Sequence, residues 1–407
     1  MRPTASPKPS KILRPKGATW VLVLAAALLG ACEKTPPAEA PARLVLSPVA
    51  FDDIPGWAED RLSEALPAFA RSCARLAGQP AERAVGPEGL GGRVGDWRPA
   101  CTALAAVPAG DDGAGRAALE AQFTPFMALD NARETGLLTG YYEAELNAAL
   151  FPGGAYKVPI YAKPADLVTV NLGLFRADLK GRRVVGRVED GRLVPYHTRR
   201  AIDGGALGEG DLGLLWADDP ADVFFLHVQG SGKVRLPDGT ERRIGFAASN
   251  GHDFFAIGRA LIEAGKVPPE QASMQGIRAF LRAHPDEARE FMQRNARYIF
   301  FRWIEGDGPI GAQGVALTPG RSLAVDPAFL PLGAPFFLDT TWPAGDRPLR
   351  RLVVAQDVGG AIKGPLRADF YWGSGEAALE QAGRMKQELR LYLLLPKAVA
   401  ERRRTTS

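Results

Sequence analysis

Histidine and cysteine are scarce in this 407-residue chain, which holds four of the first and three of the second. His197, His227, His252 and His284 lie far apart, without the spacings that gather metal ligands. His227 falls in an apolar run, where a satisfied core histidine is the simplest reading. No Gly-x-Ser-x-Gly elbow occurs. Gly230-Ser-Gly-Lys233 lacks both the upstream glycine and the following Ser or Thr of a phosphate loop. Charge of one sign is also missing. A net +4 spread along the chain gives no reason to expect nucleic acid, and it is too small to argue for an acidic polymer. There is no internal repeat, heptad run or low-complexity core segment. Nucleophilic-serine, metal and nucleotide chemistry are therefore unsupported and no cofactor is implied. Carboxylates remain.

An apolar run, residues 21–29, is too short for a permanent membrane span. Lys8, Lys11, Arg14 and Lys16 precede it, in the charge order of a signal peptide. Leu29-Gly30-Ala31-Cys32 then matches a lipobox, so residues 1–31 are expected to be removed and Cys32 acylated. The alternative is an ordinary cleaved signal with an incidental cysteine. Residues 32–50 begin rich in Pro and Ala and read as a tether. Glu33, in place of Asp, fits sorting to the periplasmic face of the outer membrane. Such a compartment is oxidising, so Cys73 and Cys101 are a disulfide candidate, with two buried thiols as the alternative.

Leu62, Leu66, Phe69, Cys73 and Leu76 step by four and three, one face of an amphipathic helix. A second helix is expected over 116–129. Short runs rich in Val, Tyr and Phe then predict strands at 157–161, 191–195, 223–229 and 234–239, with Asp238-Gly239 as a hairpin turn. Helices are expected over 252–264 and 270–294. Strands return at 298–303, 314–318, 334–338, 351–356 and 389–395, punctuated as in a small barrel.

The densest cluster of chemistry is Ala355-Gln-Asp-Val-Gly-Gly-Ala-Ile-Lys-Gly-Pro-Leu-Arg-Ala-Asp-Phe-Tyr-Trp-Gly-Ser-Gly375. Asp357 ends an apolar strand, and Asp369 is followed by Phe370, Tyr371 and Trp372. A carboxyl among aromatics and near a second carboxylate is pushed towards its protonated form. A general acid for a glycosidic oxygen needs that state. Taken alone, one aspartate beside aromatics reads more readily as structural. Asp326, in Leu323-Ala-Val-Asp-Pro327, fits a capping or scaffold role as well as a catalytic one.

The stretch from Asp326 to Gly375, with its Asp-Pro, Gln-Asp-x-Gly-x-Ala-Ile-Lys-Gly and Arg-x-Asp elements, resembles the three-aspartate domain. Upstream, Leu138-Thr-Gly-Tyr-Tyr-Glu143, Phe225-Leu-His-Val-Gln-Gly-Ser-Gly232, Gly245-Phe-Ala-Ala-Ser-Asn-Gly-His252 and Tyr298-Ile-Phe-Phe-Arg302 occur in the order of a larger family. Together they resemble membrane-bound lytic murein transglycosylase A over roughly residues 51–396. His227 departs from the family's usual residue.

That resemblance implies an α+β fold, mainly β: a double-psi β-barrel with an inserted second β-rich domain and a glycan groove between them. The barrel would be assembled from 51–144 and 307–396, the insert would span 145–306, and 397–407 would be a tail. Asp369 would be the catalyst, with Asp357 and Asp326 as companions. Thr139, Gly140, Tyr141, Tyr142, Gln229, Ser231, Gln356, Lys363 and Trp372 would line the groove. The implied reaction cleaves the β-1,4 bond between MurNAc and GlcNAc and forms a 1,6-anhydro end, without metal or cofactor. The implied partners are peptidoglycan strands and a membrane reached through the lipid anchor, with other cell-wall enzymes as conceivable associates. A hydrolytic muramidase and a non-catalytic peptidoglycan-binding lipoprotein are the alternatives.

Overall fold

The computed structural model describes residues 41–208, 212–306, 308–343 and 345–406. Cys32, the signal segment and most of the expected tether lie outside the described residues. Among the described residues, no helix is long and apolar enough to cross a membrane.

The N-terminal part begins with β1 (Leu44–Pro48) and three helices, α1 (Leu66–Ala77), α2 (Val94–Ala105) and α3 (Asp112–Gln122). α1 buries Phe69 and Leu76 of the expected face together with Ala68 and Ser72, while Leu66 and Cys73 are half-buried. A disulfide joins Cys73 of α1 to Cys101 of α2, with their Cα atoms 5.6 Å apart. α3 starts at Asp111, whose carboxylate accepts from Ala114 N at 2.9 Å. It stops at Gln122, seven residues short of the expected helix end. From there β2 (Phe123–Asp130) alternates in burial, and Pro125 could not serve a helix interior.

A 14-residue strand, β3 (Gly136–Ala149), leads into the middle of the chain. There follow β4 (Val158–Tyr161), a three-stranded meander of β5 (Val168–Asn171), β6 (Arg183–Glu189) and β7 (Arg192–Pro195), then α4 (Arg199–Asp203) and β8 (Gly213–Ala217). The run at 223–229, expected as a strand, is instead part of α5 (Pro220–Gln229). Asp219 caps it, accepting from Ala221 N at 2.7 Å, Pro220 opens it, and Gly230 closes it in the left-handed region. A helix with few polar positions shows no clear 3.6-residue stripe, so the five apolar residues among 223–229 mimic a buried strand.

β9 (Ser231–Arg235) and β10 (Glu241–Ser249) form the expected hairpin, turning at Gly239. Two of the next helices are shorter than expected. α6 (Ile257–Glu263) begins late, and the 270–294 helix divides into α7 (Met274–Ala283) and α8 (Pro285–Arg294). Pro285 has no N–H to give and forces His284 out of helical geometry (φ −130°, ψ 64°). β11 (Ile299–Ile304) pairs with β10.

The C-terminal part holds β12 (Ser322–Val325), β13 (Pro335–Thr341), β14 (Pro348–Asp357), β15 (Arg367–Ser374), α9 (Glu376–Arg384) and β16 (Lys386–Pro396). The expected strand at 314–318 is a loop, fixed by a single bridge between Ile310 and Ala316. The expected tail carries a helix, α10 (Lys397–Thr406), with Val399 and Ala400 buried.

Strand pairing closes a ring. β3 pairs with β15, β15 with β12, β12 with β14, β14 with β13, β13 with β16, and β16 returns to β3. The β3–β15 and β12–β14 pairs are parallel. The fold is therefore mixed α and β, and mostly sheet. One apolar core fills the ring and runs under α1 and α2, with Leu323, Phe336, Val353, Phe370 and Leu393 fully enclosed. Each such side chain contributes about 1.5–3 kcal/mol by leaving water. Arg321, just before β12, ties the N-terminal segment to this core, donating to both Asp60 carboxylate oxygens at 2.8 and 3.0 Å. β3 outruns the ring, and its far half pairs in parallel with β9 from Ala144 onward. A second core forms around that half, including Tyr142, Leu146, Val234 and Ile244.

Candidate active site

The ring's register brings two carboxylates to one place. Ala324 of β12 pairs with Asp357 on one side and with Asp369 on the other, and Asp369 in turn pairs with Thr139 of β3. Residues opposite one another in a ladder share a face, and two strand spacings put the two aspartate Cα atoms roughly 10 Å apart. Side chains alternate along β3, so Thr139 and Tyr141 join Asp369 and Tyr371 on this face, while Leu138, Gly140 and Tyr142 turn away. The Tyr141 and Tyr371 rings lie 5.2 Å apart.

Asp369 is half-buried. The Thr139 hydroxyl donates to its Oδ1 at 2.7 Å, and Arg367 Nη2 donates to that hydroxyl oxygen at 2.9 Å. Asp357 Oδ1 accepts from Ala312 N at 2.9 Å, in the loop that replaces the expected 314–318 strand. Burial pushes Asp369 up to about 6, against the Thr139 hydroxyl and the Arg367 charge and with help from Asp357. Burial likewise pushes Asp357 up to about 6, against the N–H groups of Ala312 and Val358 and the Tyr141 hydroxyl. That hydroxyl is buried beside Asp357 yet makes no hydrogen bond of ordinary geometry, and burial raises it well above a normal phenol. Two carboxyls poised near neutrality on one face can deliver and receive a proton there.

Farther along β3 on the same face, Glu143 is buried and accepts from Arg243 Nε at 3.0 Å. Burial raises its pKa, opposed by Arg243.

Other expected site residues stand elsewhere. Gln356 is turned to the opposite face and fully enclosed. Its amide donates to Ala68 O at 2.7 Å and Ser72 Oγ at 2.9 Å and accepts from Ser322 Oγ at 2.6 Å, so it cannot line an open groove. Tyr142 belongs to the second core. Trp372 packs on Phe370 and Trp342, at 4.9 and 5.1 Å, and its Nε1 donates to Met385 Sδ. Gly140 is needed behind it, because a Cβ there would lie 2.6 Å from Trp372 Nε1. Asp326 is buried, with Ala328 N donating to Oδ1 and Gly364 N to Oδ2, which fastens the 358–366 loop. Gln229 accepts from Tyr142 N at 3.1 Å, beside the cluster. Ser231 is half-buried at the start of β9, and Lys363 is exposed. His227 is buried in α5 with neither ring nitrogen hydrogen-bonded, so the satisfied strand histidine is corrected on both counts. Among the described residues, no group of three or more His, Cys, Asp or Glu could hold a metal ion.

A protein-family model described as the MltA specific insert domain matches residues 137–302, and one described as the 3D domain matches 321–395. The crystal structure of a membrane-bound lytic murein transglycosylase from Agrobacterium tumefaciens is 34% identical, with a TM-score of 0.78, covering 88% of this chain and 99% of that one. The chain belongs to the MltA family. Membrane-bound lytic murein transglycosylase A of Escherichia coli strain K12 is 32% identical over 264 residues, which make up 63% of this chain and 64% of the relative's length. E. coli MltA has also been solved with bound chitohexaose, at 25% identity and a TM-score of 0.61, covering 88% of this chain and 95% of that one. In this MltA-family chain the 3D match holds Asp326, Asp357 and Asp369, and the insert match opens on the β3 segment that carries Thr139 and Tyr141.

Arg367, Tyr371, Glu143 and Arg243 stand at the site without having been expected to line it. Arg367 and Tyr371 were visible as neighbours of Asp369 at strand spacing. Arg243 gave no local signal, because its partner lies 100 residues away.

Proposed function

We propose that this chain is a lytic transglycosylase of peptidoglycan, cleaving the MurNAc–GlcNAc β-1,4 bond with Asp369 as acid and then base. The observation that carries the reading is the Asp369 carboxyl, half-buried on the ring's face and held up at about 6, so that a protonated fraction persists near neutral pH. Family membership and the chitohexaose held by E. coli MltA support a glycan as substrate.

Asp369 would protonate the oxygen between MurNAc and GlcNAc, and the C1–O bond would break to leave oxocarbenium character on the MurNAc ring. The MurNAc C6 hydroxyl would then bond to C1 and return its proton to Asp369. The product is a 1,6-anhydro ring, and no water is consumed. A nucleophile already carried by the substrate gives a proximity advantage over an external one. Asp357 would stabilise the developing positive charge, and Tyr141 and Tyr371 would hold the sugar face. Asp326 is read as a scaffold for the 358–366 loop, since backbone N–H groups occupy both of its oxygens.

The six-strand closure and its two parallel pairs support a double-psi barrel, with residues 145–306 as an inserted domain along β3 and the groove between them. Cys32 would carry the lipid that holds the enzyme at the periplasmic face of the outer membrane. One observation favours a competing reading. Asp357 has the same raised pKa as Asp369 and could activate a water, as in a hydrolytic muramidase.

The test is Asp369→Asn on purified sacculi. Muropeptide release should vanish while sacculus binding persists. Release at the wild-type rate would end the assignment, and a wild type that binds but releases nothing would leave a binding protein.

A further inference from the structure

The meander of β5, β6 and β7 forms a sheet of its own, and its two faces differ. Val185 of β6 packs inward against a small core that includes Tyr196, Tyr298 and Phe300. Strand alternation turns Val184 and Val188 the other way. The register sets Val170 beside Val184 and Leu193 beside Val188 on that outer face. There Val184 is 39% exposed, Leu193 42% and Val188 62%.

The connection from β5 to β6 carries the same texture further. Leu172 N donates to Arg182 O at 3.0 Å and closes a loop whose tip holds Leu174, 82% exposed, and Phe175, 75% exposed. Two adjacent large apolar side chains in water forgo the gain that burial gives such groups elsewhere in the chain. Cations stand beside them. Residues 172–183 contain four basic residues and one acid, Asp178, which is taken up by Arg176 at 3.0 and 2.9 Å. Lys180, Arg182 and Arg183 are exposed, and none has a carboxylate partner among the described residues.

This tip calls for two surroundings at once, an apolar phase for Leu174 and Phe175 and a layer of negative charge around it. A soluble polyanion would answer the cations and leave both apolar side chains in water. A lipid surface supplies both in the order required, with phosphates at the level of the cations and acyl chains beneath. The choice of lipid over a protein partner rests on the anchor proposed above. With Cys32 acylated, nine residues lead from it to Pro41, a reach of roughly 30 Å at full extension, so a membrane is always close by.

We propose that the β5–β6 tip is a second membrane contact, with Leu174 and Phe175 entering the acyl boundary of an anionic phospholipid surface and Lys180, Arg182 and Arg183 meeting its phosphates. An anchor at one end of the chain limits distance and leaves orientation open. A second contact through the insert fixes orientation as well, and the anchor raises the local concentration at which that contact forms.

The probe is a pair of vesicle preparations, phosphatidylcholine alone and phosphatidylcholine mixed with phosphatidylglycerol. Each is sedimented with residues 33–407, the expected mature chain without its acyl group. The chain should co-sediment with the mixed vesicles, more weakly with the neutral ones, and less as salt is raised. Leu174→Ser with Phe175→Ser should lower the partition coefficient about tenfold or more. Lys180→Glu with Arg182→Glu should lower it about tenfold on mixed vesicles and leave the weak neutral binding unchanged. All four side chains are exposed, so both double variants should melt with the wild type. No binding to mixed vesicles, or wild-type partition in either double variant, overturns the proposal. So does a dimer that Leu174→Ser with Phe175→Ser dissolves, which would give the tip to a second copy of the chain. Acylation of Cys32 is read separately, from the mass of the chain extracted from cells. Vesicle binding through the tip without acyl chains keeps this surface and loses the anchor, and acyl chains with an inert tip do the reverse.

Discussion

Thr139→Val offers a direct probe of how Asp369 is set. The substitution keeps the shape of the side chain and removes the hydroxyl that donates to Asp369 Oδ1 at 2.7 Å and receives Arg367. That hydrogen bond favours the ionised carboxyl, so its loss must raise the Asp369 pKa from about 6. A hydrogen bond to a charged group contributes about 1.5–3 kcal/mol, and one pKa unit is about 1.4 kcal/mol. The Arg367 charge remains and Asp369 is open on one side, so the expected rise is about one unit, at the low end of that range. The acid acts in its protonated form. About a tenth of the wild type carries that proton at pH 7, against about half of the variant. The alkaline limb of the pH–rate profile for anhydro-muropeptide release should therefore move up by about one unit, with a slightly lower plateau because a weaker acid transfers its proton less readily. The assay is release from sacculi between pH 4.5 and 8 at constant ionic strength. A limb that stays in place, or moves to lower pH, refutes the reasoning.

Gln356→Leu should lower the melting temperature, by the equivalent of about 1–3 kcal/mol for the Ser322 hydroxyl left without its acceptor, and leave glycan affinity unchanged. Arg243→Met should cost about 3–5 kcal/mol in urea unfolding by leaving Glu143 buried without its partner, and adding Glu143→Gln should recover most of that loss. Replacing Cys73 and Cys101 by serine should cost about 3–4 kcal/mol, from the 28-residue separation that the bridge closes. An unchanged urea midpoint would show that the unfolded chain is not constrained by that link.

The apolar stripe of Leu66–Ala77 and the turn at Asp238-Gly239 were legible in the sequence, whereas Glu241–Ser249 was not expected as a strand. The sequence misled where burial is complete, since α5 shows neither period. Asp369, Asp357, Thr139 and Tyr141 were found as motif residues, but motif alone could not say which way each side chain faces. Gln356 and Tyr142 sit one residue from Asp357 and Tyr141, and the pleat sends them to the other side. Arg243 and Ala312 reach the site through long-range pairing that no local window contains. His227 read as an ordinary core residue because the sequence cannot show that its nitrogens go unpaired.

Mass spectrometry of the products from wild-type digestion of sacculi tests the central claim most directly. Asp369 acting as acid and then base on the MurNAc C6 hydroxyl predicts disaccharide muropeptides ending in 1,6-anhydro-MurNAc, each lighter by one water than its hydrolytic counterpart, and none from Asp369→Asn. Products with only reducing MurNAc ends would contradict it and assign Asp357 to activating water.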